Sequence, residues 1–206
     1  MLLQTLKYWV KKLPIAFTQN QRYDKQTKEI IKRVVGANSV CIDIGCHKGE
    51  ILDEILAQAP GSIHFAFEPI PSLYKNLVEK YAHTNAQIVD IALSNEIGER
   101  TFNYVVSNPS YSGLQKRAYD RKNERDEVIV VQVNKLDNII PVGQKIDFIK
   151  IDVEGGEMQV LQGGEQLIRR YHPIILFEHG LGASEFYCTN PTQLYDWMQT
   201  VNMQIN

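Results

Sequence analysis

One stretch limits the possible folds more than any other. Residues 39–45, SVCIDIG, form a short apolar run ending in glycine, and residues 50–59, EILDEILAQA, follow at once with helical spacing before Pro60-Gly61 stops them. An uninterrupted apolar run of this length bounded by glycine reads as a strand buried on both faces. A strand feeding directly into a helix is the first half of a βαβ unit. The pattern then repeats. SIHFAFE is a second strand and PSLYKNLVEKYAHT a helix with proline in its first turn. AQIVDIALS reads as a single third strand. Right-handed crossovers between such strands predict an α/β fold: a mostly parallel sheet with helices on both faces.

The grain changes in the middle. TFNYVV and VIVVQV have strand character, and the polar stretch 107–127 between them is long enough to imply a functional loop. In it, Ser107, Asn108, Ser110, Tyr111 and Ser112 form a polar cluster expected to fold over a bound acceptor. Alternation resumes with IDFIKIDV as a strand, GEMQVLQGGEQLIRRY as one helix, PIILFEH as a strand and PTQLYDWMQTV as a last helix. The chain stops at MQIN, where a further strand is expected to begin. Ahead of the sheet, DKQTKEIIKRVV carries Ile30, Ile31, Val34 and Val35 on one stripe, with Asp24 read as its N-cap and Gly36 as its stop. Still earlier, Lys7, Lys11 and Lys12 alternate with Leu3, Leu6, Trp9 and Val10, which reads as a helix packing on its own domain rather than on a membrane surface. The expected organisation is an N-terminal helical cap over 1–36 and a sheet domain over 37–206, together one structural unit.

Bulk properties exclude several classes. A formal net charge of −2 gives no electrostatic footprint for nucleic acid. No apolar run is long enough for an integral membrane segment, and the first residues lack the form of a secretory signal. Three cysteines, Cys41, Cys46 and Cys188, without CxxC spacing indicate neither a disulfide framework nor a cysteine zinc site. The expectation is a reduced, cytoplasmic protein.

The strand-to-helix loop reads Asp43-Ile-Gly45-Cys46-His47-Lys-Gly49, a D-x-G-x-x-x-G pattern. Gly45 allows a tight turn, Gly49 allows close approach of a ligand, and NH groups at a helix start favour an anion. A cofactor with an amino-acid end, such as S-adenosylmethionine, fits: its carboxylate on the loop NH groups and its ammonium near Asp43. His47 is expected on the cofactor side. Glu68, at the tip of the second strand, follows the loop at the distance from which a carboxylate receives ribose hydroxyls. Asp90, with its neighbour Ile91, is a candidate for the adenine.

A second group lies on later strands. Lys150 sits among apolar residues of a central strand, where a lysine is costly unless paired. Side chains alternate along a strand, so Lys150, Asp152 and Glu154 share one face if the strand stays regular. Glu178 and His179 end the adjacent strand. His179 is the first candidate for a base that removes a proton from an alcohol, with Asp152 second. Asp152, Glu154, Glu178 and His179 also have the chemistry to hold a divalent cation, but their spacing fixes no coordination geometry, so no metal is expected.

These segments, VCIDIGCHKGE, FAFEPIPSLYKNL, IDFIKIDVEGGEMQVLQGGEQLI and PIILFEHG, resemble the FkbM family of methyltransferases. Lys150 to Glu157, K-I-D-V-E-G-x-E, is the most specific piece. The resemblance implies a class I methyltransferase (Rossmann-like) sheet, S-adenosylmethionine as donor, and O-methylation of a sugar, glycan or polyketide-type hydroxyl. It puts Asp43, Gly45 and Gly49 along the cofactor, Glu68 at its ribose, and Asp152, Glu154, Glu178 and His179 at the reaction edge; Cys46 and His47, between the two glycines, are expected on the cofactor side from their place in the loop. It also implies a C-terminal antiparallel hairpin, most of which is absent after Gln204, leaving a sheet edge that a second subunit of a homodimer could cover. Where the family pattern has Ala-Asn in the loop, this chain has Cys46-His47. Two other readings are a nicotinamide-dependent oxidoreductase, disfavoured by the missing G-x-G-x-x-G, and a non-catalytic cofactor-binding or scaffold protein.

Overall fold

The computed structural model describes residues 19–119, 123–178 and 183–205. Helix α1, Gln19–Val34, leads into β1, Cys41–Ile44, then α2, Glu50–Gln58; β2, His64–Phe67; α3, Pro71–Lys80; and β3, Ala86–Val89. Strands β4, Ile91–Leu93, β5, Gly98–Val105, and β6, Asp126–Asn134, follow, and then a short helix α4, Leu136–Ile139. The chain closes with β7, Phe148–Ile151; α5, Glu157–Gly163; α6, Glu165–Tyr171; β8, Ile174–Phe177; and α7, Pro191–Thr200.

Five strands form one sheet in the order β3-β2-β1-β7-β8, every pair parallel. The order reverses between β1 and β7, so their carboxyl tips open a crevice where such sheets bind ligands. Strands β1, β2 and β7 are buried on both faces because helices cover both. On one face Ile42, Ile44, Ile149 and Ile151 pack with Val160, Leu161, Ile168, Leu194 and Met198 of α5, α6 and α7. On the other, Cys41 and Phe148 pack with Ile31 of α1, Val35 just past its end, and Ile55 of α2. The α/β expectation, parallel and covered on both sides, is borne out. Among the described residues no helix is long and apolar enough to cross a membrane. None of them pairs with the outer edge of β8.

Three sequence expectations need correction. The run 86–94 is two strands: β3 pairs with β2, while β4 pairs with β6 in a separate three-stranded sheet, β4-β6-β5. The chain changes sheets at Asp90, which is exposed. The helix expected over 156–171 is broken into α5 and α6 at Gly164. The pair Gly163-Gly164 lets this turn press on its neighbours: a Cβ at Gly163 would stand 2.1 Å from the Ser94 carbonyl oxygen, and one at Gly164 2.9 Å from Leu136. Asp24 is no N-cap, since α1 already runs from Gln19. The N-terminal lysine-rich helix expected over the first residues lies outside the described residues.

Candidate active site

A cavity of about 430 Å³ opens at the carboxyl tips of β1, β2 and β7, within the size range of small-molecule sites. Its floor is the β1–α2 loop, where Gly45 has φ +79°. A Cβ there would lie 1.8 Å from the Asp152 carbonyl oxygen, so glycine is required for the loops after β1 and β7 to touch. Gly49 has φ +81°, but the space beside it is filled by Tyr81, whose hydroxyl donates to the Gly49 carbonyl at 2.8 Å. Its glycine serves internal packing rather than ligand approach, and it does not line the cavity.

Four of the loop NH groups are also committed inside the protein. Gly45 and Cys46 both donate to the Phe67 carbonyl at 3.0 Å, and Gly49 to the Cys46 carbonyl at 2.8 Å. His47 NH donates to Glu68 Oε2 at 2.8 Å. These four NH groups thus have acceptors in place inside the protein.

Asp43 and Glu68 are the buried carboxyls of this half. Asp43 faces the cavity with Oδ2 buried and without a hydrogen-bond partner. Burial pushes its pKa up to about 6, against the stabilising Cys46 thiol and the Lys150 charge. Glu68 accepts from Ile70 NH at 2.9 Å as well as from His47 NH. Its pKa is nevertheless pushed up to about 7 by burial. Carboxylate oxygens have lone pairs beyond these two bonds, so Glu68 can still accept from a ligand. His47 lines the cavity, with Nε2 buried and unpartnered, and burial lowers its pKa. Ile91 lines the cavity; Asp90 does not.

On the β7 side, Lys150 is buried next to Asp43 in register and donates to the Ile151 carbonyl at 3.2 Å. Its ammonium lies 3.4 Å from Asp152 Oδ2, the ion pair that a lysine in a central strand requires. The strand does not stay regular to Glu154. It ends at Ile151, and Glu154 takes φ +56°, an uncommon conformation for a non-glycine residue. That turn aims Glu154 at Arg117, with which it forms a mostly buried ion pair and hydrogen bond. Burial still pushes Glu154 up to about 7. Lys150, Asp152 and Glu154 all line the cavity; Glu178, whose pKa burial raises, lies beside them without lining it. His179 lies outside the described residues. Among the described residues no three of His, Cys, Asp and Glu converge as a metal-ligand set.

The polar stretch forms the roof. Pro109, Ser110 and Ser112 line the cavity, and Ser112 Oγ accepts from Val105 NH at 2.9 Å. Arg117 stacks over the Tyr111 ring at 4.9 Å. Tyr187, from a turn after β8, accepts Gln115 NH at 3.0 Å and rests against Gly113 and Gly156, tying the roof to the turn after β7. Several cavity residues were missed from sequence: Asp24 and Lys28 of α1, Ile70, Phe102, Gln159 and Tyr187. Gln159 stands out because its amide oxygen is buried without a partner. Only the Gly155-Gly156 pair after β7 signalled that something large packs there; nothing local marked Tyr187 as its occupant.

A five-stranded parallel sheet with this strand order and a carboxylate at the tips of both β1 and β2 narrows the choice, and sequence comparison decides it: residues 43–204 match the methyltransferase FkbM domain. The chain belongs to the FkbM methyltransferase family. As an FkbM domain it is a methyltransferase. It is 26% identical to the AMB antimetabolite synthetase AmbE of Pseudomonas aeruginosa over 71% of its own length, and spans 9% of that protein. It is 24% identical to the methyltransferase sdnD of Sordaria araneosa, covering 77% of this chain and 72% of that one. Among solved structures, a precorrin-6y C5,15-methyltransferase from Geobacter metallireducens aligns with TM-score 0.49 and 13% identity, over 93% of this chain and 78% of that one.

Proposed function

We propose that this FkbM protein is an S-adenosylmethionine-dependent O-methyltransferase acting on a hydroxyl of a sugar, glycan or polyketide-type small molecule. The observation that carries the reading is the cavity with two buried carboxyls at adjacent strand tips, one with an orphaned oxygen. Glu68 has acceptor capacity for the two hydroxyls of a ribose. Ile70, Ile91 and Phe102 supply apolar walls for a nucleobase. Gln159 offers an unpaired amide oxygen for a polar edge. Asp43 offers its free oxygen to the ammonium. The bound cofactor supplies an activated methyl group on a sulfonium. The chain must align an acceptor oxygen and take one proton. His179, which follows Glu178 in the sequence, is the proposed base, with Asp152 second. The roof serines and Tyr187 line the side left for a polar acceptor. The name of AmbE, a synthetase of an antimetabolite, favours a small-molecule acceptor over a macromolecule.

The test is calorimetric titration of the purified chain with S-adenosylhomocysteine and, in parallel, NAD. Micromolar binding of the first alone is expected. NAD binding alone would favour the oxidoreductase reading, and binding of neither the scaffold reading. For His179→Ala, cofactor affinity should stay near wild type while turnover drops roughly 10²–10⁴-fold, as loss of a general base entails. Unchanged turnover would remove His179 from the mechanism.

A further inference from the structure

The amino-acid end of the proposed cofactor is a zwitterion, and four of the glycine loop's NH groups already have acceptors inside the protein. Those of Gly45, Cys46, His47 and Gly49 are engaged with Phe67, Glu68 and Cys46. The nearest buried cation, Lys150, is held by the Ile151 carbonyl and Asp152. Helix α1 brings other charges to the same cavity.

One stripe of α1 contains Asp24, Thr27, Lys28, Ile31 and Val35, spaced three and four apart, so these side chains share a face. The lower part, Ile31 and Val35, is buried against Cys41 and Phe148, the first residues of β1 and β7. The upper part runs toward the strand tips. Seven helical residues span about 10 Å, and a four-residue strand covers a similar distance. The stripe that seats α1 on the sheet therefore delivers Lys28 and Asp24 to the mouth of the cavity, where both line it. Lys28 is half-buried and pairs with Glu54 at 2.8 Å; an ammonium has three donors, so capacity remains. Asp24 stays exposed on the rim. The pair lies ahead of residues 43–204, the part that matches the family.

We infer that Lys28 and Asp24 form a charge-matched receptor for the amino-acid end of the cofactor, Lys28 taking the carboxylate and Asp24 sharing the ammonium with Asp43. This rests on the S-adenosylmethionine reading above. The function of α1 is then recognition of the cofactor as well as cover for the sheet.

The experiment compares two ligands on four proteins. S-Adenosylhomocysteine carries the zwitterion; 5′-methylthioadenosine has the same nucleoside without it. Both are titrated calorimetrically into wild type, Asp24→Asn, Lys28→Met and the double variant, with melting temperatures confirming folding. The expected result is a roughly 5- to 20-fold loss of S-adenosylhomocysteine affinity in each single variant, the scale of a charged hydrogen bond at a partly exposed site. Methylthioadenosine affinity should stay within about twofold, the change expected where no contact is removed. For decarboxylated S-adenosylhomocysteine, the Lys28→Met effect should vanish and the Asp24→Asn effect persist. Equal losses for both nucleosides would mean that α1 acts only by packing, and unchanged S-adenosylhomocysteine affinity would also overturn the proposal. If folded wild type binds neither ligand, the cofactor reading itself fails. If wild type binds both equally, only the receptor fails.

Discussion

The floor and the roof of the cavity are built on opposite plans. The floor, the β1–α2 loop, is held by backbone: its NH groups find Phe67, Glu68 and Cys46, and Gly45 lets the Asp152 carbonyl lie against it. The roof, 106–119, has a backbone bridge of its own between Asn103 and Gly113 but is tied to the rest of the site by side chains reaching across the molecule: Arg117 to Glu154, and Tyr187 to the Gln115 NH. A backbone-held loop tolerates almost no added atom but needs few particular side chains. A side-chain-held loop can be remodelled one contact at a time. The contrast suits a methyltransferase that keeps one donor and varies its acceptor.

The comparison can be broken most severely at Gly45. Replacing it with alanine adds a Cβ where the Asp152 carbonyl already lies and strains a positive φ. The expected loss is at least about 3 kcal/mol in urea denaturation. A loss under about 1 kcal/mol would show that the floor yields as the roof does. Next is Arg117→Met, which leaves Glu154 buried without its cation. The folded pKa of Glu154, about 7, is already above its ordinary value, so ionising it costs stability as pH rises from about 4.5 through 7. Without Arg117 that cost grows. The deficit against wild type should be small at pH 5 and reach about 2 kcal/mol at pH 8, the partial exposure of the pair keeping it below a fully buried one. A deficit independent of pH would separate the roof's anchoring from the Glu154 charge.

The third substitution sharpens the floor. Asp43 is fully buried, and its folded pKa of about 6 lies above the ordinary 3.8. Its ionisation therefore removes stability progressively as pH rises through 6. Asp43→Asn should gain about 1–2 kcal/mol at pH 7.5 but nothing at pH 4, while weakening S-adenosylhomocysteine binding. A variant neither more stable nor weaker in binding would show that the orphaned oxygen is no ligand group. The smallest effect is expected from Tyr187→Phe, which removes one acceptor from the Gln115 NH. It should cost about 1 kcal/mol and show as faster amide exchange confined to 106–119.

Legibility in the sequence follows the same division. Strand tips and glycines gave away the floor, because buried apolar runs and D-x-G-x-x-x-G are local patterns: Asp43, Gly45, Cys46, His47 and Glu68 all meet at the cavity. Lys150 was legible because a lysine inside an apolar strand has few explanations. The uses of the residues were less so. The space beside Gly49 is filled by Tyr81, just past α3 and 32 residues away, and the Gly45 and Cys46 NH groups are absorbed by Phe67 of β2, which no spacing rule reveals. Asp90 looked like a strand tip because β3 and β4 read as one run; which sheet each joins depends on partners far along the chain. Arg117 and Tyr187 were invisible, since their partners are fixed only by the closed fold.

The change of sheet at Asp90 has a consequence for how such a protein can diversify. Strands β5 and β6 pair with each other along their length, and the small sheet meets the chain of the large one through β4. The hairpin 98–134 is thus a cassette with its own internal register, joined to the large sheet's half by β4, by the packing of Phe102, Val131 and Val133 on Ile70 and Leu73, and by the side-chain ties of its tip. Its tip, which carries Pro109, Ser110 and Ser112 to the cavity, can therefore be lengthened or redecorated while the β1 and β2 tips that carry Asp43 and Glu68 keep their own pairing.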